Sequence, residues 1–220
     1  MWKVDAGALD QVNFRELYHQ FLLVEDIDEK TRTLIRKSEF KMLPDDNAML
    51  VFGYIDREAG MSFELLAAAH VYEDGKVSLE PRSETTSCKF RWGSLVGKVS
   101  QFTDKSRLIP YMEWANGIVE WYGCSNDVKE IREMTELDGL RAPGYPDDIV
   151  VYFFKKDCRP EGIWCRAESI DRERHLFMMK MLNEPFTPFG KHIGNIVPVQ
   201  TIRMDDGSIK AFALLDMEED

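Results

Sequence analysis

In the last third of the chain apolar and polar residues alternate over short stretches, the period of a strand whose successive side chains point to opposite faces. Residues 162–169 put Trp164, Arg166 and Glu168 on one face and Ile163, Cys165 and Ala167 on the other. Residues 175–182 are apolar almost throughout, interrupted by Lys180, which predicts a central strand covered on both faces. The charged segment Asp171-Arg172-Glu173-Arg174 between them supplies a turn, so the runs are expected to pair as an antiparallel hairpin. Pro185 and Pro188 stop the second strand, because neither can donate to a ladder and each restricts the residue before it. Strands resume over 195–204 and 208–215 around Asp205-Asp206-Gly207, where glycine supplies the positive φ of a tight turn.

Toward the N-terminus the spacing is mixed. Asn13 with Glu16 three residues on reads as a capping box, and Phe14, Leu17, Tyr18, Phe21 and Leu22 follow at helical spacing, so a helix is expected over 13–24. Residues 28–40 are highly charged and fit a second helix or an edge strand. After the Leu43–Asn47 turn, strands are expected over 48–55, 61–72 and 76–80. A polar loop over 82–87 follows, then strand pattern over 88–102 broken by Gly93 and Gly97. An apolar stripe through Leu108, Met112, Ala115, Ile118 and Tyr122 predicts a helix over 106–122, with Pro110 near its start, where a missing amide costs least. Asp127 opens another helix that runs to Gly139. Two prolines and a glycine in the segment 141–147 resist both helix and ladder, which places a boundary near Tyr145.

The order Glu161-Gly-Ile-Trp-Cys-Arg166, the strand end Leu182-Asn-Glu-Pro-Phe186 and the segment His192-Ile-Gly-Asn-Ile-Val197 resemble the YegJ-like group of bacterial proteins. Those small domains have a Trp-bearing strand, a Leu-Asn-Asp/Glu-Pro end and a glycine before the next strand. The likeness covers about residues 147–215. It implies a mainly-β C-terminal domain and a bacterial origin, and carries no activity with it.

The expected architecture is therefore α+β, with antiparallel sheets and several helices: an α+β domain over 1–145 and a mainly-β domain over 146–220. The second should be a small bent sheet or partly open barrel.

Charge narrows the partners. The formal net charge of the 220 residues is −11. It is spread along the chain, with 25 acidic against 18 basic side chains before Tyr145 and 14 against 10 from there on. Nucleic-acid binding needs clustered Lys and Arg to neutralise phosphates, so it is not expected. An acidic surface suits solubility, and equally a basic protein partner. No apolar run approaches the roughly 20 residues of a bilayer span, and the first residues lack a secretory apolar core, which together point to the cytoplasm. Four widely spaced cysteines, Cys88, Cys124, Cys158 and Cys165, fit reduced thiols there.

Candidate chemistry is sparse. There is no CxxC or HExxH spacing, so no metal site is expected, and no Gly-rich phosphate loop calls for a cofactor. Catalytic residues are likewise not assigned. Among the histidines, His70 reads as a half-buried strand residue, while His192 lies in a loop on a sheet, a common place for function. Glu184, in the turn-forming Asn183-Glu184-Pro185, is the carboxylate closest to it in sequence. Trp92, Trp114, Trp121 and Trp164 read as core residues. Phe186 and Phe189, in a loop too proline-rich to bury both, mark a contact surface. Glu184, Phe186, Phe189 and His192 are thus the candidate binding residues of a non-catalytic protein-binding or regulatory module. One version is an immunity protein that neutralises a basic toxin. The competing class is a small-molecule enzyme or ligand binder with a cleft between the two halves.

Overall fold

Residues 48–55 and 60–69 are buried on both faces and, Ser62 and Glu64 apart, apolar, because both faces are covered. They form the centre of an antiparallel sheet in the computed structural model, which describes residues 2–82 and 86–215. The chain divides into two compact units, Met1–Gly123 and Cys124–Asp220. In the first, β1 (Lys3–Asp5), β2 (Phe21–Glu25), β3 (Ala48–Asp56), β4 (Gly60–Val71), β5 (Val77–Leu79), β6 (Lys89–Arg91) and β7 (Lys98–Gln101) make one sheet. Its order is β1-β7-β2-β3-β4-β5, with β6 also pairing β4. On one face Met49, Val51, Phe63 and Leu65 pack with Leu17 and with Ile35 of α1 (Glu29–Lys37). On the other, Leu50, Phe52, Tyr54 and Leu66 are covered by α2 (Lys105–Leu108) and α3 (Met112–Trp121), through Leu108, Ala115 and Ile118. α1 starts where the Asp28 carboxylate accepts from the Thr31 amide at 2.7 Å.

The helix expected over 13–24 is replaced. Asn13 does cap a turn, its side chain accepting from the Arg15 amide, but that turn is a single 3-10 turn at Phe14–Glu16. His19 then reverses the chain at φ 58, and residues 21–25 become β2, between β7 and β3. Pairing with two strands outweighs the helical spacing there, since helix propensity is weak against tertiary context. The strands and helices expected over 28–80 and 106–122 are present, the 28–40 segment as a helix. Residues 83–85 of the expected 82–87 loop lie outside the described residues.

The second unit opens with α4 (Asn126–Glu133), capped by the Ser125 hydroxyl rather than by Asp127. A short hairpin of β8 (Arg141–Ala142) and β9 (Tyr145–Phe153) follows, then β10 (Glu161–Asp171), β11 (Leu176–Met181), β12 (Ile196–Arg203) and β13 (Ile209–Ala213). β9 to β13 form a closed barrel: each neighbour pair is antiparallel, and β13 returns to lie parallel to β9. A meander with an odd number of strands must close on one parallel pair. The register slips between Ala167 and Ser169, and such a bulge sharpens the bend that closure needs. The barrel is thus closed where a partly open one was the alternative.

Ile149, Val151, Phe153, Ile163, Cys165, Met179, Met181, Val197, Val199 and Ala211 fill the interior. β11 turns one face inward, with Met179 and Met181 buried and Phe177 packed against the same core, while on the other face, beyond the buried Leu176, Met178 is half-buried and Lys180 exposed, because a barrel wall has one inside. Ile131 of α4 and Leu137 and Leu140 of the next turn join this core. For that reason the units divide at Gly123 rather than near Tyr145. Pro143 and Gly144 are the β8–β9 turn, with Gly144 at φ 74, and not a linker.

Two buried ion pairs tie the unit together. Arg132 grips Asp147 at two points, 2.8 and 2.7 Å. Arg166 likewise holds Asp148, at 2.7 and 3.2 Å. Trp121 and Trp164, expected in the core, are 82% and 41% exposed.

Candidate functional site

Residues 182–195 leave the barrel at the end of β11 and return to it at β12. The two prolines keep this segment out of any ladder, so its amides need other acceptors. Side chains from β10 and from the segment itself supply them. The Asn183 carboxamide oxygen accepts from the Trp164 amide at 3.0 Å. The Glu161 carboxylate accepts from the amides of Phe186 and Thr187, each at 3.0 Å. Asn195 accepts from the His192 amide at 2.9 Å and donates its own amide to the His192 carbonyl at 3.0 Å. Gly190 and Gly194, at φ 79 and 86, make the bends that a side chain would strain.

The candidate residues meet different fates. Phe186 is 98% exposed, at the tip of the segment. Phe189, expected beside it on the surface, instead turns inward. It is 5% exposed and its ring lies 5.6 Å from that of Phe153 in the barrel core. The Gly190 bend that follows lets the chain put one aromatic in the core and leave the other outside.

Glu184 and His192 do come together. His192 Nδ1 lies 2.5 Å from Glu184 Oε1, and Glu184 Oε2 accepts from the Ile193 amide at 2.9 Å. The Ile193 amide first, and then His192, hold the Glu184 carboxyl below its ordinary range. Their side chains are 52% and 72% exposed, so water screens the pair. Both carboxylate oxygens are engaged within the segment, which makes the pair a clasp between its two ends. The described grooves of about 350, 390 and 460 Å³ are lined by residues of the N-terminal unit and include neither Glu184 nor His192.

Sequence pattern alone does not mark Glu161, Asn183 and Asn195, the residues that build the segment. A carboxylate at a strand start and an asparagine before a proline look like ordinary turn chemistry in sequence. The one available signal was the pair of prolines, whose neighbouring amides had to be satisfied from elsewhere. Among the described residues no helix is long and apolar enough to cross a membrane. Compared with known proteins, the chain matches no family model, no curated sequence and no solved structure, so its site is read from its own residues.

Proposed function

We propose that the protein is a non-catalytic binding module that docks a protein partner through the 185–190 loop, with Phe186 as the inserted side chain. A single observation carries this reading: Phe186 is 98% exposed while the backbone beneath it is fixed by Glu161. An aromatic of this size gains about 2–3 kcal/mol when buried. A loop already held in place loses little further entropy on docking. The partner this suits offers an apolar pocket with a basic rim, opposite in sign to a chain of net charge −11. A basic toxin is one protein of that description. In this reading the C-terminal unit is a YegJ-like domain of a bacterial cytoplasmic protein, on the strength of Trp164, the Asn183–Pro185 strand end and Gly194.

The test compares immobilised wild type with Phe186→Ser, a change that removes the ring and leaves the Glu161 bonds to the backbone. The expected result is a protein retained by wild type, released as salt rises, and absent from the variant. Identical recoveries from the two baits, with both folded by circular dichroism, overturn the proposal.

A further inference from the structure

The N-terminal unit brings together three residues that sequence spacing keeps apart. Asp45 and Asp46 lie in the turn before β3, and His70 lies near the end of β4. Asn47 joins these elements. Its side chain donates to the Val71 carbonyl at 3.1 Å and accepts from the Val71 amide at 2.8 Å, while its own amide donates to the Ala69 carbonyl at 3.1 Å. The turn is thereby fixed against the strand. One carboxylate oxygen from each aspartate and a ring nitrogen of His70 lie within 4.8 Å of one another. His70 Nδ1 is 2.5 Å from the Asp45 main-chain carbonyl oxygen and 3.9 Å from Asp45 Oδ2.

Asp46 is what separates this group from ordinary surface acidity. It is 0% exposed. Its Oδ2 accepts from the Leu43 amide at 2.6 Å, but Oδ1 is buried with no hydrogen-bond partner among the described residues. A buried carboxylate oxygen without a donor is costly. The group therefore stands in surroundings that call for a proton or a cation.

We propose that Asp45, Asp46 and His70 form a binding site for a first-row divalent cation, with Zn²⁺ the best match. One imidazole nitrogen with two carboxylate oxygens suits Zn²⁺ and its neighbours better than Ca²⁺ or Mg²⁺, which prefer oxygen alone. Asp45 is 69% exposed at its side chain, so the ion can enter from solvent and keep water on its remaining positions.

The experiment is calorimetric titration of the full chain with ZnCl₂, with MgCl₂ and CaCl₂ as controls, on wild type, His70→Gln, Asp46→Asn and His192→Gln. Wild type should bind one Zn²⁺ and show a raised melting temperature in its presence, because a ligand held by the folded state alone stabilises it. His70→Gln should weaken binding by at least about tenfold, the loss that even outer partners of a metal ligand give. His192→Gln, altered at the other histidine–carboxylate pair, should bind as wild type does. Should Asp46→Asn fail to fold, His70, whose side chain is 20% exposed, still decides the matter. No saturable Zn²⁺ binding by wild type, or binding unchanged in His70→Gln, refutes the site. A thiolate-to-metal charge-transfer band in the Co²⁺-loaded protein also refutes it, since the cysteines would then hold the ion.

Discussion

Arg132 and Asp147 meet in a two-point ion pair with 1% and 4% of their side chains exposed, and Arg132 is among the largest fully buried side chains of the protein. The pair links α4 to β9 and so fixes the helix on the barrel. Asp147→Ala leaves the guanidinium buried without its carboxylate, and such a change costs about 3–5 kcal/mol. The double variant Arg132→Met with Asp147→Leu removes both charges and should be closer to wild type than the single one. Urea unfolding of the three proteins gives the comparison. A double variant as unstable as Asp147→Ala contradicts it.

Glu161 plays the corresponding part at the loop. Glu161→Ala removes the acceptor for the Phe186 and Thr187 amides, while Glu161→Gln keeps one oxygen for them. Hydrogen exchange at residues 186 and 187 should accelerate strongly in the alanine variant and less in the glutamine variant. Global stability should fall by about 1.5–3 kcal/mol, the usual worth of a hydrogen bond to a charged group. Unchanged exchange at both amides means the loop is held by its prolines alone.

The parts of this fold that were legible in the sequence are those where local pattern and tertiary role agree. The Asp206-Gly207 corner reads as a hairpin and is one, with Gly207 at φ 83 and its amide on the Met204 carbonyl. The 106–122 stripe reads as helical and covers the sheet. The misread parts are those where a distant partner decides. Phe21 to Glu25 has helical neighbours but two strands waiting beside it. Asp127 looks like a helix cap, yet its carboxylate reaches the Ile170 amide and Arg172, leaving the cap to Ser125. Closure of the barrel depends on β13 meeting β9 some sixty residues earlier, as in the pair of Ala211 with Val151, a contact that no local window contains. At the candidate loop, exposure of Phe186 followed from the prolines, whereas the inward turn of Phe189 required a place beside Phe153 that only the closed barrel creates.

Two glycines should respond to alanine in opposite directions. A Cβ on Gly53, in β3, would stand 2.1 Å from the Leu17 carbonyl oxygen, which the backbone of the adjoining turn holds in place. Gly53→Ala should therefore cost about 1–3 kcal/mol or more, as forced overpacking does. Gly117 lies inside α3 with nothing within 4 Å of a new Cβ, so Gly117→Ala should add about 0.5–1 kcal/mol through helix propensity. Thermal unfolding of both variants, with melting temperatures moving apart about that of wild type, is the expected outcome. A neutral Gly53→Ala would show that the Leu17 turn yields.

The four thiols should separate by reactivity. Burial inside the barrel, with the Asp148 charge adding to it, pushes the Cys165 thiol up to about 12. Burial also raises Cys88. Cys124 and Cys158 are only partly covered. The thiolate is the reacting form, so at pH 8 iodoacetamide should label Cys124 and Cys158 and spare the other two until denaturant is added. Mass spectrometry of the peptides reads this directly. Rapid native labelling of Cys165 is incompatible with a closed barrel.

Asp127 gives the acid side of the stability profile. Its carboxyl is held below the ordinary 3.8, first by the Ile170 amide and then by Arg172. A carboxyl whose folded pKa is depressed binds its proton more readily once unfolded, so its contribution to stability is complete above the unfolded value. That contribution is lost as pH falls through the folded one. The expected decline therefore begins near pH 4–5 and continues below 3.8. Asp127→Asn cannot ionise and should be less stable at neutral pH, with the difference from wild type shrinking as the pH is lowered through this window. Melting temperatures of both proteins from pH 7 to pH 3 follow the two curves, and parallel curves over that range would mean that the Asp127 carboxylate does no work for the fold.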